Sequence, residues 1–171
     1  MVRVSKKELL GFLDLFDQEL DRNIVIIAVG GTAMTLLGLK ASTKDIDFNI
    51  PSDEDFKEFN RVNDRIKPGV KIDSWSSNMI FSEILPEDYV DLATEYKAGF
   101  KKIRIRILNP IDIVCSKISR FSEADMEDIK DCIGYAHITK ERLAERASMY
   151  SRAGSDRVFE QNLMHIMKNM F

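Results

Sequence analysis

The sequence predicts an α/β (α+β) fold, a small mixed β-sheet flanked by helices and followed by a C-terminal helical extension. Three observations lead there. Ile24-Val25-Ile26-Ile27-Ala28-Val29 is a continuous β-branched run with no polar face, the pattern of a strand buried on both sides. Asp45-Ile46-Asp47-Phe48-Asn49-Ile50 alternates polar and apolar side chains, as a second strand does. From Asn109-Pro110 to Phe171 everything reads as helix.

The elements follow in order. Ser5 and Glu8 form a capping-box pattern ahead of Leu9, Leu10, Leu13, Phe16 and Leu20, which predicts a helix over 5–21. The strand over 24–29 is broken by Gly30-Gly31, and a helix resumes over 32–39. Pro51 stops the strand over 45–50, and Ser52 with Asp55 caps a helix running to about Ile66. Its apolar face is Phe56, Phe59, Val62 and Ile66. Lys67-Pro68-Gly69 turns the chain into a strand over 70–75. Residues 76–98 carry weaker signals, with Met79-Ile80-Phe81 as a short strand and Leu85-Pro86-Glu87-Asp88 as a turn. Ile103, Ile105 and Ile107 alternate with Arg104 and Arg106 in a strand over 102–108. Asn109-Pro110 pairs an N-cap with a first-turn proline, and further helix starts stand at Ser122, Thr139 and Ser155. Residues 1–108 are expected to form a core, with 109–171 a helical part packed on it in one compact unit.

Composition excludes several classes. A net charge of -3 over 171 residues is not that of a chain-wide electrostatic nucleic-acid binder, although a local basic patch can still hold phosphate or RNA. Cys115 and Cys132 fall at apolar helical positions and read as reduced, buried thiols, which suits the cytoplasm. His137 and His165 have no partners at zinc-ligand spacing. No apolar run approaches the roughly 20 residues of a membrane span.

One arrangement has a clear chemical use: strand, Gly30-Gly31, helix, then Asp45 and Asp47 on the next strand. Glycines let a phosphate approach the backbone, and the following helix offers unpaired N–H groups and a positive dipole end. Two carboxylates two residues apart on a strand share a face and form a hard-oxygen site for Mg²⁺, or Mn²⁺. A third acid would allow a two-metal site. Either motif alone is commonly structural, as a plain turn or a solvated face; the joint pattern has few other uses.

Val29-Gly30-Gly31-Thr32-Ala33-Met34 followed by Ser42-Thr43-Lys44-Asp45-Ile46-Asp47-Phe48 resembles the first two motifs of minimal nucleotidyltransferases of the DNA polymerase β superfamily. The AbiEii-type toxin nucleotidyltransferases and their relatives, which carry Gly-Gly where others carry Gly-Ser, are the most similar branch. Leu108 to Val114, Lys117 with Arg120, and Asp125 with Asp128 resemble the later helical motifs, so the likeness spans roughly residues 24–135. The resemblance implies a nucleoside triphosphate as substrate. It implies Asp45, Asp47 and Asp73 as metal ligands, these three with Lys117 as the catalytic set, and Gly30, Gly31, Thr32, Lys40, Ser42, Thr43 and Arg120 around the phosphates. Lys40 stands where the branch commonly has arginine, which keeps the charge and loses the bidentate fork. Glu83 and Asp91 are alternatives to Asp73.

Other residues have two readings. Asp125 and Asp128 either orient Lys117 and Arg120 or are acids of a helix N-terminus after Ser122, the latter preferred unless Lys117 is functional. Lys97, Lys101, Lys102, Arg104 and Arg106 read more readily as a solvated strand face than as an RNA track. Trp75 is a core residue or a base-stacking one, and Met164, Met167 and Met170 are helix packing or a partner face. Ser42 and Thr43 cap a turn as readily as they donate to phosphate. The expected function is transfer of a nucleoside monophosphate from a triphosphate to a hydroxyl of transfer RNA or another RNA, a protein or a small molecule, in a toxin–antitoxin setting. The alternative is an inactive module of the same fold that binds a partner or nucleotide.

Overall fold

The computed structural model describes residues 3–171; Met1 and Val2 of the expected 1–108 core lie outside them. The first half of the chain runs β1 (Val4–Ser5), α1 (Lys6–Glu19), β2 (Ile24–Ala28), α2 (Gly30–Leu37), β3 (Ser42–Thr43), β4 (Ile46–Ile50), α3 (Asp53–Ile66) and β5 (Ile72–Ser76). It continues with β6 (Met79–Ile80), β7 (Glu83–Ile84), α4 (Tyr89–Leu92), β8 (Thr94–Tyr96) and β9 (Ile103–Ile107). Helices α5 (Pro110–Ile118), α6 (Glu123–Ala136) and α7 (Lys140–Ser148) follow, then β10 (Ser151–Arg152) and α8 (Asp156–Asn169).

The main sheet has the order β5-β4-β2-β9-β8. It is mixed: β2 runs parallel to β9 and β4 parallel to β5, whereas β2–β4 and β8–β9 are antiparallel. Side chains alternate across it. Phe48 projects into the core, edge-on to Phe59 of α3, which stacks on Phe16 of α1 at 4.6 Å. The opposite face of β4 carries Asp47 and Asn49. The capping boxes expected at Ser5–Glu8 and after Ser122 are both present, and Asn109 caps α5 with Pro110 in its first turn.

Several expectations shift. Helix α2 begins at Gly30 rather than Thr32, because Gly30 takes φ 53°, a left-handed value that lets the chain turn inside the first helical residue. The alternation in β4 does not separate a solvated face from a buried one, because Asn49 is fully buried. Its amide donates to the carbonyls of Ser77 and Met79, each at 2.9 Å, and its oxygen accepts from the Tyr89 hydroxyl at 2.8 Å. The stretch 76–98 holds the β6–β7 hairpin, α4 and β8, and the all-helical reading after Asn109 is interrupted by β10, which pairs with β7. These short strands carry too few residues to show a period.

Between α5 and α7 lies a buried polar knot. The Arg146 guanidinium donates to both oxygens of Asp112 at 2.7 and 2.9 Å and to Asp88 at 2.7 Å, and the Tyr150 hydroxyl donates to Asp112 at 2.8 Å. It pins α7 in one register on α5. Cys115 is buried, and desolvation pushes its thiol well above the ordinary value; Cys132 is pushed up to about 12, also by burial.

Candidate functional site

A cleft of about 680 Å³ opens where the start of α2, the start of β4 and β5, and the facing ends of α5 and α6 converge. Asp45 precedes β4, Asp47 lies within it, and the parallel register pairs Asp47 with Asp73 of β5. Register puts Asp73 beside Asp47, and Asp45, just ahead of the strand, lines the same cleft. Backbone hydrogen bonds hold this corner still. The Asp47 N–H donates to Thr32 Oγ1 at 2.9 Å, the Val29 N–H donates to the Asp47 carbonyl at 3.2 Å, and the Thr43 hydroxyl donates to the Asp45 carbonyl at 2.8 Å.

Three carboxylates so close repel one another. Asp47, only 8% exposed, is pushed up to about 7, first by burial and then by the charges of Asp73 and Asp45; Lys71 and Lys117 offset part of this. Lys71 Nζ stands 2.6 Å from Asp73, and this bond raises the lysine's pKa. Among the described residues no three His, Cys, Asp or Glu side chains close into a metal cage. The donor chemistry nevertheless fits a divalent cation, because the hard carboxylate oxygens of Asp45, Asp47 and Asp73 are gathered in one cleft.

The glycine pair has two separate jobs. A Cβ on Gly31 would come within 2.5 Å of Thr43 Oγ1, so this glycine lets α2 lie against β3. A Cβ on Gly30 would meet the Phe81 ring at 3.3 Å and Asp47 Oδ2 at 3.4 Å, so its bare Cα faces the cleft beside the acids.

On the far wall, charges alternate. Lys40 Nζ contacts Asp128 at 2.6 Å, and Lys117 Nζ bridges Asp128 at 2.8 Å and Asp125 at 3.0 Å. Arg120 makes a two-pronged pair with Asp125 at 2.6 and 2.7 Å. Burial pushes Asp125 up, but hydrogen bonds from Arg120 and Ser122 and the charge of Lys117 outweigh it and hold it well below the usual range. Asp125 therefore serves both readings at once, closing the α6 capping box with Ser122 and ordering the bases.

The structure brings Gly30, Gly31, Lys40, Ser42, Thr43, Asp45, Asp47, Asp73, Lys117 and Arg120 to this one cleft. Thr32 is fully buried beneath it, its hydroxyl spent on the Asp47 and Asp45 backbone rather than on the cleft wall. Glu83 is buried on Ser119 and Arg152, and Asp91 is exposed on α4; neither reaches the cleft. Trp75 is half-buried on the cleft wall rather than in the core. Lys71 and Phe81 also line it, unanticipated: Lys71 is two residues from Asp73 and detectable by that spacing, whereas Phe81 arrives on a hairpin with no local signature. The basic strand lies elsewhere, with Arg106 donating to the Val90 carbonyl and Lys102 to the Leu20 carbonyl.

A mixed sheet with a Gly-Gly strand-to-helix turn facing acids on the neighbouring strand is the layout of a nucleotidyltransferase-like α/β protein. The family model for nucleotidyltransferases of unknown function (DUF6036) matches residues 7–169, and the chain belongs to that family. Its fold is similar to that in the crystal structure of an antigenic nucleotidyltransferase-like protein from Paracoccidioides brasiliensis, at 16% identity and a TM-score of 0.56, covering 98% of this chain and 91% of that one. No curated protein matches the sequence. No helix among the described residues is long and apolar enough to cross a membrane.

Proposed function

We propose that the cleft is the active site of a divalent-metal-dependent nucleotidyltransferase, moving a nucleoside monophosphate from a triphosphate to an acceptor hydroxyl. The observation that carries this is the gathering of Asp45, Asp47 and Asp73 in one cleft beside the α2 N-terminus, with the Asp47 carboxyl pushed up to about 7 by burial first and then by the charges of Asp73 and Asp45. Asp45 and Asp47, with Asp73, would hold Mg²⁺ or Mn²⁺. Such an ion supplies charge neutralisation of the triphosphate and a lowered pKa for the acceptor hydroxyl. The α2 N–H groups at Gly30 and Gly31 receive the phosphates. Lys117 and Lys40, kept in place by Asp128, face the charge that collects on the departing pyrophosphate. Arg120 adds a guanidinium at the rim. Asp73 takes the acceptor proton as the new oxygen–phosphorus bond forms and the α–β phosphoanhydride bond breaks.

The likeness of residues 29–34 and 42–48 to AbiEii-type enzymes supports a toxin–antitoxin setting with an RNA acceptor, transfer RNA among them, or a partner protein or small alcohol. The Lys71–Asp73 pair favours a second reading, in which a protein cation satisfies the acids and the module binds a partner or nucleotide without turnover. Calorimetric titration with each nucleoside triphosphate and Mg²⁺, beside Asp45→Asn and Asp47→Asn, tests both. Metal-dependent binding and pyrophosphate release that both variants abolish support the enzyme. Full activity in Asp45→Asn overturns the assignment, and absence of binding to any triphosphate favours the partner module.

A further inference from the structure

Trp75 and Phe81 form an aromatic pair both of whose rings line the cleft. Phe16, Phe48 and Phe59 are fully buried, but Trp75 and Phe81 are half-buried and line the cleft. Their ring centroids lie 4.7 Å apart. Trp75 follows Asp73 by two residues on β5, so the indole shares the acids' face, about 7 Å further along the strand. That offset is of the order a ribose places between a base and its α-phosphate.

Phe81 is held there at a conformational cost. It forms, with Ser82, the two-residue loop closing β6 on β7, and it takes φ 53°. Asparagine and glycine suit that position and phenylalanine does not. The hairpin is clamped around it: Asn49 grips the carbonyls of Ser77 and Met79, Asn78 and Leu85 exchange two hydrogen bonds, and β10 pairs with β7. An aromatic side chain kept in the left-handed region by an over-determined frame, with its ring against Gly30 and beside Asp47, suits a ligand clamp better than a packing accident. Arg120 stands 5.6 Å from the same ring and extends the flat surface toward the basic wall.

We propose that Trp75 and Phe81, edged by Arg120, form a nucleobase subsite, a stacking wall that seats a base while its phosphates lie at the acids and the α2 N-terminus. This rests on the reading of the cleft as a triphosphate site. Stacking takes any base, because every base has a π-face, so the wall gives affinity without strict choice among nucleosides. The base comes either from the donor triphosphate or from the acceptor end of a single-stranded RNA.

Trp75 is the sole tryptophan of the chain, so its fluorescence reports the subsite directly. The full-length protein is titrated with Mg²⁺ and, in turn, a nucleoside triphosphate, inorganic tripolyphosphate and a short single-stranded oligoribonucleotide. Parallel calorimetry is run on Phe81→Ala, Phe81→Leu and Phe81→Gly. Glycine fits the left-handed loop without strain, so that variant remains informative if the others melt early. The expected result is quenching by the nucleoside triphosphate and none by tripolyphosphate, with the nucleoside triphosphate binding roughly tenfold tighter. Each Phe81 variant should erase that advantage and leave tripolyphosphate affinity unchanged. Quenching by the oligoribonucleotide alone, lost in the Phe81 variants, assigns the wall to the acceptor's base. If neither nucleotide quenches Trp75, or the Phe81 variants bind both as the parent does, the subsite is wrong. Tripolyphosphate binding reports separately on the phosphate site, so failure of the wall and failure of the triphosphate reading are told apart.

Discussion

Replacing Asp47 by asparagine should make the protein more stable at neutral pH, and the gain can be worked from the structure. The carboxyl is raised from 3.8 to about 7. A raised acid binds its proton more tightly in the native state than in the unfolded chain. The native form is thus favoured fully below the unfolded value, and that advantage declines as pH rises from about 4 to about 7. Roughly three units at about 1.4 kcal/mol each give a loss of about 4 kcal/mol across the window. Asparagine, nearly isosteric and uncharged, has no such slope. For a chain of this length the difference corresponds to about 10 °C in melting temperature. The assay is denaturant or thermal unfolding of parent and Asp47→Asn from pH 4 to 8, with and without Mg²⁺. The two curves should converge near pH 4 and separate toward pH 8, with the variant above. Added Mg²⁺ should close the gap from the parent's side and leave the variant where it is. Parallel pH profiles, or equal stabilisation of both proteins by Mg²⁺, would refute the view that three crowded carboxylates are the site's defining feature.

Four further perturbations test the surroundings. Gly31→Ala places a methyl within 2.5 Å of Thr43 Oγ1 and should cost about 1–3 kcal/mol in urea unfolding, partly restored by adding Thr43→Ala. Lys117→Met strips a buried cation from Asp125 and Asp128 and should cost about 3–5 kcal/mol by equilibrium denaturation near pH 7. Because Asp125 is held below its unfolded value, the stability it contributes is present above about pH 4 and is lost on acidification, so Asp125→Asn should be less stable than the parent near pH 7 and the two should converge as pH falls below about 4. Arg146→Lys keeps the charge but cannot reproduce the fork on Asp112, and a drop of several degrees in melting temperature is expected; an unchanged melt would mean α7 is not pinned there.

Much of this protein is written locally. The apolar run before Gly30, the alternation through Asp45 and Asp47, the capping boxes at Ser5 and Ser122 and the Asn109-Pro110 helix start each depend on residues within one or two turns, and each can be read without knowing the fold. So can the association of a Gly-Gly turn with paired acids, because it lies within one short stretch of chain, from Ile24 to Ile50. What tertiary structure alone decided are the meetings of distant residues. Asp73 stands beside Asp47 because β5 pairs with β4 in one parallel register, and a one-residue slip would have turned it to the other face. Lys40 reaches Asp128 across 88 residues. Asn49 is buried by residues far off in sequence, the β6–β7 hairpin and Tyr89, and the same hairpin carries Phe81 into the cleft. Short-range pattern reports which side chains share a face of one element; which face of another element comes to meet it is set by burying the common core, and that is settled only when the whole chain packs.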